Sequence, residues 1–139
     1  MSLEDNKAIV RRYQEILNNN DLDALGEVMA EDISMPDILP GMPPGLEGAK
    51  TINRMAIAGM PDFHVAIEEL IAEGDRVAAR VTITGAHSGE FFGIPPTGRR
   101  ISAIGMYAVR IAGGKIVEHR GVEDALGILQ QLGAIPSMS

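Results

Sequence analysis

Two glycine-containing dipeptides in the second half of the chain, Gly74-Asp75 and Gly113-Gly114, most constrain how it can fold. Each lies between two segments rich in alternating apolar and polar residues, which together are residues 65–72, 76–84, 99–112 and 115–123. Two-residue turns of this composition join antiparallel strands, because glycine adopts the positive φ that tight hairpin turns require. The sequence therefore predicts two β-hairpins.

Counting outward from the first turn gives the register of the first hairpin. Glu69 is expected opposite Arg80, and Ile67 opposite Thr82. Opposite charges that face each other across two strands support this pairing.

The same count applied to the second turn sets Tyr107 opposite Arg120 and Val109 opposite Glu118. Side chains alternate between the two faces of a strand, so these four residues are expected to share one face. The other face is expected to hold Ala108, Arg110, Val117 and His119.

Helical patterns dominate the first half of the chain. Helices are predicted over residues 9–17, 22–29, 47–58 and, near the other end, 125–132, with a brief strand over 33–35. Residues 36–48 are rich in proline and glycine but also apolar, so they are expected to form a loop that folds over a pocket mouth. Helices followed by antiparallel strands indicate an α+β fold, and the length of 139 residues predicts a single domain over 1–139.

Composition excludes several classes of function. The chain has 12 basic and 19 acidic residues, a formal net charge of −7, which gives no electrostatic footprint for nucleic acid or for an anionic membrane. It has no cysteine, so disulfides, thiol nucleophiles and cysteine metal sites are excluded. We expect a cytoplasmic protein, because no stretch is typical of a signal peptide or of a membrane span.

The three histidines, His64, His87 and His119, are far apart and lack the spacing of a metal site. Phosphate-binding loops and serine nucleophile elbows are also missing from the sequence. We therefore predict no metal and no other cofactor. His87 begins a loop rich in proline and glycine, where it either binds the backbone of a rigid strand connection or contacts a substrate.

Asp124 lies where the last predicted strand gives way to the last predicted helix. Such a position can aim a carboxylate into a cavity. Aspartate is also a favoured helix N-cap, so capping and catalysis are both open for this residue.

The stretch H-S-G-E-F-F-G-I-P-P-T-G-R-R-I, the G-G-K-I-V-E hairpin and D-A-L-G-I-L-Q-Q-L-G resemble the SnoaL-like polyketide cyclase family over nearly the whole chain. The resemblance implies the cone-shaped fold of the nuclear-transport-factor-2-like superfamily, in which a curved sheet and N-terminal helices enclose a pocket. It also implies a homodimer or a higher homo-oligomer packed through sheet faces.

In the characterised cyclases of this family an acidic residue of the C-terminal segment is the general acid/base of an aldol ring closure, and the matching position here is Asp124. The resemblance thus implies a cofactor-independent cyclase or isomerase acting on a small apolar metabolite that carries carbonyl groups. Candidate substrate-binding residues are Arg120, Tyr107, Glu118 and His87. Arg120 occupies the Trp position of the family pattern E-x-W-x-x-x-D, which predicts a more polar or anionic substrate.

Other functions stay open on the same scaffold. One is epoxide hydrolysis, for which Arg120 and Asp124 would supply part of the required set. The others are a non-catalytic protein that binds a hydrophobic ligand and a structural dimer with a filled pocket. The number of polar groups that converge in the pocket would distinguish them.

Overall fold

Helices of the N-terminal half pack against one face of a curved, open five-stranded sheet in the computed structural model, which describes residues 2–136. In chain order the elements of that range are α1 (Leu3–Asn18), a 3-10 helix (Leu22–Glu27), β1 (Met29–Ser34), α2 (Gly45–Gly59), β2 (His64–Glu73), β3 (Arg76–Ala86), β4 (Arg100–Ala112), β5 (Lys115–Glu123) and α3 (Ala125–Leu132). The predicted α+β class is confirmed. None of these helices is long and apolar enough to cross a membrane.

Both predicted hairpins form, and they make up most of the sheet, whose strand order is β1-β5-β4-β3-β2. Gly74, Gly113 and Gly114 have φ values of 58°, 58° and 78°, which is the conformation that the turns require. Strand β1 is longer than the predicted residues 33–35. It pairs in parallel with β5, an arrangement that neighbouring turns in the sequence do not indicate.

The two faces of the sheet differ sharply in burial. The face that we call the inner face carries Val77 of β3 and Val109 of β4, which pack with Val10 and Ile16 of α1 in one apolar core. The opposite, outer face is exposed, as its position Ile104 shows. Because α1 covers the inner face, an enclosed site would lie between that helix and the sheet.

A β-bulge in β2 shifts the register of the first hairpin. Glu69 lies opposite Arg80, which confirms that part of the prediction. Ile67, however, lies opposite Val81 and not opposite Thr82. The residue between Ile67 and Glu69 is the extra one, so simple alternation from the turn fails beyond it.

A second bulge lies in β5. Ile111 is paired with Ile116, but the next residue of β4, Arg110, is paired with Glu118. Val117 is therefore the extra residue. From this point to the end of β5, every side chain lies on the face opposite to the one predicted.

The prediction that Glu118 and Arg120 share a face of the sheet with Tyr107 is therefore wrong. Tyr107 lies opposite Gly121, and not opposite Arg120. His119 shares the inner face with Tyr107, whereas Glu118 and Arg120 lie on the outer face.

The C-terminal helix closes one end of the sheet. Its residues Ile128 and Leu132 are buried against the inner face. The side-chain amide of Gln131 bonds both backbone groups of Ser102 in β4. Its Nε2 donates to the Ser102 carbonyl at 3.0 Å, and its Oε1 accepts from the Ser102 N–H at 2.7 Å. The helix stops at Gly133 with φ 75°, as predicted.

Candidate functional site

Three aromatic rings meet on the inner face between α1 and the sheet. The rings of Tyr107 and His119 are stacked with centroids 5.0 Å apart. Tyr13 of α1 contacts both, at 5.8 Å from Tyr107 and 5.9 Å from His119. Burial raises the pKa of both tyrosine hydroxyls far above the usual range, so both remain neutral.

The hydroxyl of Tyr107 is held by a chain of hydrogen bonds through α1. It donates to Gln14 Oε1 at 3.1 Å, and Gln14 Nε2 donates to Asn18 Oδ1 at 3.3 Å. Asn18 in turn bonds both backbone groups of Val65 on the edge strand β2, at 2.9 and 3.0 Å. The Tyr107 side chain is thereby fixed in position relative to the helix that covers it.

His119, and not Glu118 as predicted, lies opposite Val109. Burial lowers the pKa of His119 to about 4, and its own backbone carbonyl and the Asp37 carboxylate offset this only in part. The imidazole is therefore neutral near pH 7. Its Nε2 is buried and has no hydrogen-bond partner among the residues that the structure describes.

The loop between β1 and α2 carries Asp37, whose carboxylate partly offsets the effect of burial on the pKa of His119. The loop begins after Ser34, and its flanking residues Met35 and Leu46 pack against the core. That this loop folds over a pocket mouth stays a prediction.

Glu123 lies on the inner face, whereas the predicted register places it on the opposite face. It lies opposite Gly105, a buried inner-face position of β4. Partial burial raises the pKa of the Glu123 carboxyl, but the residue is exposed, as Asp124 is. With the correct register, alternation from Tyr107 would have placed Glu123 on this face.

Asp124 is the N-cap of α3, as its sequence position allowed. Its Oδ1 accepts the Gly127 N–H at 2.9 Å, and its own N–H donates to the Ile104 carbonyl at 3.0 Å. The residue is exposed. Capping is thus confirmed, and proton transfer by this carboxylate stays a prediction.

Glu118 and Arg120 belong to a charged network on the outer face. Glu118 is near three guanidinium groups: Arg76 at 3.5 Å, Arg120 at 3.8 Å and Arg110 at 4.0 Å. The Arg120 side chain is 62% exposed. The basis for predicting an anionic substrate, a cation on the cavity side, is therefore wrong.

His87 is fully buried and holds together the loop before β4. The Thr97 N–H donates to its Nδ1 at 3.3 Å, so the ring proton is on Nε2, which lies 3.2 Å from the Ile94 carbonyl. The Thr97 hydroxyl also contacts Nδ1, at 2.9 Å. Both ring nitrogens are thus occupied within the loop, which favours the structural role for His87 over substrate contact.

Of the predicted site residues, the structure leaves Tyr107 on the inner face and adds His119 and Glu123 to it. Along the inner face of β3, β4 and β5, the other described positions are apolar residues or glycine. The arrangement is a mainly apolar surface with a fixed phenol, a neutral imidazole and a carboxylate. Such a surface can orient a carbonyl compound and move protons on it.

Comparison with known proteins identifies relatives of this chain. The family profile for SnoaL-like polyketide cyclases matches residues 7–132. Aklanonic acid methyl ester cyclase DnrD from Streptomyces peucetius is 33% identical over 128 residues, which cover 90% of this chain and 88% of DnrD.

Two further proteins are similar to this chain, one in sequence and one in structure. Nogalonic acid methyl ester cyclase from Streptomyces nogalater is 44% identical over 69 residues, about half of each chain. The structure of TsrD from Streptomyces laurentii superposes with a TM-score of 0.89 at 27% identity, covering 97% of this chain and 99% of TsrD. The chain belongs to the SnoaL-like polyketide cyclase family.

Proposed function

We propose that this protein is a cofactor-independent cyclase, which closes a ring by intramolecular aldol addition in a polyketide methyl ester. Relatives named as cyclases of aklanonic acid methyl ester match about nine-tenths of the chain. The observation that carries the proposal is the buried Nε2 of His119, which has no partner among the described residues although it faces the covered side of the sheet. A substrate hydroxyl that donates to Nε2 would supply the missing hydrogen bond.

The reaction needs few groups. One base removes a proton from a carbon that two carbonyl groups acidify, and the resulting enolate carbon attacks a ketone of the same molecule. The alkoxide that forms takes up a proton, so the product is an isomer of the substrate. A covered, mainly apolar face favours this step because it holds the two reacting carbons together and limits access of water.

Turnover of aklanonic acid methyl ester and of nogalonic acid methyl ester tests the proposal. Chromatography with mass detection should show a product of unchanged mass and new retention time. His119→Phe keeps an aromatic ring but removes the nitrogen, and we expect it to lower kcat/KM by about 10- to 100-fold, as loss of one hydrogen bond to the reacting molecule does. His64→Gln, on the exposed start of β2, is the matched control.

Ligand binding without turnover would contradict the proposal and favour the non-catalytic binding protein. Isothermal titration with both esters separates these two outcomes. The epoxide hydrolase alternative loses its cation, because Arg120 lies on the outer face.

We also infer a homodimer that packs through the outer face of the sheet. Three apolar side chains of neighbouring positions are unusually exposed there: Ile104 at 66%, Met106 at 52% and Val122 at 75%. A contiguous apolar patch framed by charged residues is typical of a protein interface. Val122→Glu should therefore convert a dimer into a monomer in light scattering at micromolar concentration, and a wild-type monomer would refute the inference.

A further inference from the structure

The hydroxyl proton of Tyr107 has a fixed direction, which the backbone of β2 sets. The Val65 N–H can only donate and the Val65 carbonyl can only accept, and Asn18 bonds both, at 3.0 and 2.9 Å. Asn18 therefore turns its Oδ1 toward the Val65 N–H. Since this Oδ1 also accepts from Gln14 Nε2 at 3.3 Å, the other end of the Gln14 amide, Oε1, faces Tyr107. The Tyr107 hydroxyl must then donate to Gln14.

Tyr107 is consequently not a donor toward the rest of the inner face. Its hydroxyl proton is used in the bond to Gln14 Oε1 at 3.1 Å, so the phenol oxygen has only lone pairs for any further hydrogen bond. The ring of His119 is stacked on that of Tyr107 with centroids 5.0 Å apart. This neighbour therefore supplies no proton to the imidazole.

The imidazole of His119 also presents an acceptor. The ring bonds its own backbone carbonyl, and Nε2 has no hydrogen-bond partner among the described residues, so the nitrogen in that bond is Nδ1. Because a carbonyl only accepts, Nδ1 carries a proton. Burial lowers the pKa of His119 to about 4, so the ring holds this one proton near pH 7. Nε2 is left with a lone pair and no hydrogen.

The surroundings of His119 offer Nε2 no donor. Asp37, whose negative charge acts on the ring, accepts hydrogen bonds, and the residue opposite in β4 is the apolar Val109. The next inner-face position of β5 is Gly121, where a Cβ atom would lie 3.2 Å from Cε1 of the imidazole, the carbon bonded to Nε2. Glycine thus keeps the ring edge that carries Nε2 free of a neighbouring side chain. A donor for this nitrogen has to come from a ligand.

We propose that His119 is a specificity-determining residue, whose Nε2 accepts a hydrogen bond from a hydroxyl group of the substrate. The inference rests on the proposed cyclase function, because it names the group by which that site selects its substrate. The ligand carries a phenol or enol hydroxyl at this position, since an ether or a carbonyl oxygen cannot donate. So weak a base leaves the proton on the hydroxyl, and the contact therefore binds the substrate without proton transfer. Because Nε2 is covered, the ligand displaces the side chains that lie over it.

Nitrogen NMR of the protein with isotope-labelled histidine tests the acceptor directly. Near pH 7 the Nε2 resonance of His119, assigned by its loss in His119→Phe, should be that of a nitrogen without a proton. Naphthol should move this resonance upfield, as a donated hydrogen bond does. The methyl ether of naphthol has the same rings but no donor, and it should not produce this shift. A proton on Nε2, or equal shifts with both compounds, overturns the inference.

Isothermal titration with the same two compounds measures the selectivity. The wild type should bind naphthol about 10-fold more tightly than the ether, because only naphthol satisfies the buried acceptor. In His119→Phe, which keeps an aromatic ring, the two dissociation constants should agree within about two-fold. His64→Gln, at the exposed start of β2, is the matched control and should keep the wild-type ratio. A wild type without preference for naphthol, or an undiminished preference in His119→Phe, overturns the inference.

Melting temperatures show whether the variants retain the fold. Should His119→Phe fail to fold, His119→Leu replaces it in both experiments. Ester turnover separates this inference from the proposed function. A protein that turns over the methyl esters but shows no preference for naphthol keeps the cyclase function and loses this role of His119. A protein that selects naphthol through His119 but turns over neither ester overturns the cyclase function and keeps the hydroxyl contact.

Discussion

Acid should destabilise this protein through His119, and the size of the effect follows from its burial. The folded protein holds the pKa of His119 at about 4, against 6.5 for an exposed histidine. The pKa is thus lowered on folding, so the unfolded chain binds more protons between these two values. The stabilisation is fully present above pH 6.5 and is lost as the pH falls toward 4, by about 3 kcal/mol in total.

Urea unfolding followed by circular dichroism at several pH values from 7.5 to 4 measures this loss. His119→Phe removes the titrating group and keeps the ring between Tyr13 and Tyr107. We expect the variant to lose about 3 kcal/mol less than the wild type across this range. At pH 7.5 it should be at least as stable, because the buried nitrogen without a partner costs about 1–3 kcal/mol and is removed.

Comparing the wild type with His119→Phe isolates the contribution of His119, because the other titrating groups are present in both proteins. Hydrogen bonds lower the pKa of Asp5 and Asp62, so these groups also destabilise the fold in acid. Burial raises the pKa of Glu123, which acts in the opposite direction. His64→Gln, a substitution at the exposed start of β2, is the control variant. An equal pH dependence of the free energy of unfolding in the wild type and in His119→Phe would refute the conclusion that His119 is a buried, neutral imidazole.

Three further predictions concern the other candidate residues. His87→Ala should lower the free energy of unfolding by about 2 kcal/mol or more in urea titrations, since it leaves the Thr97 N–H and the Ile94 carbonyl without their partner; an unchanged midpoint would contradict the structural role. Asp124→Ala should cost about 1 kcal/mol in the same titration and Asp124→Asn much less, as expected for an N-cap. Arg120→Ala should change stability by under about 0.5 kcal/mol and leave ester turnover intact, because the side chain is exposed; a large loss of turnover would place it in the site after all.

The sequence predicted the hairpins because turns are encoded locally. Gly74 and the pair Gly113-Gly114 are required by their positive φ values, and a residue pattern of a few positions is enough to find them. The cap and stop of α3, at Asp124 and Gly133, were predictable for the same reason. The parallel pairing of β1 was not, because it joins strands that are more than eighty residues apart.

The positions of the candidate site residues were predicted less well, because the bulge in β5 turns every later side chain of that strand to the opposite face. Tyr107 lies on the inner face and its role stays a prediction, whereas Arg120 and Glu118 lie on the outer face and His119 was expected on the face opposite to Tyr107. A bulge has no turn-like signature, since the extra residue, Val117, is an ordinary strand former. Registers counted from a turn are therefore secure only up to the first irregularity.

Both bulges nevertheless have a common physical reason. Simple alternation from Ile116, which is fully buried, would put Glu118 and Arg120 on the inner face. In β2 the same count would put Glu68 opposite Val81, another buried position. Burying such charges without partners costs several kcal/mol, much more than the ladder hydrogen bond that a bulge disturbs.

Because the two bulges keep charged side chains off the inner face, the polar groups that do lie there need an explanation. The bulge at Val117 moves Glu118 outward, but the same shift turns His119 and Glu123 inward. An inner face selected only for stability would fill the His119 position with an apolar side chain, as it does at Val109, whereas Glu123 is exposed at the end of β5. Because folding alone does not call for an imidazole without a partner, the presence of His119 beside Gly121 is best explained by a ligand that binds there.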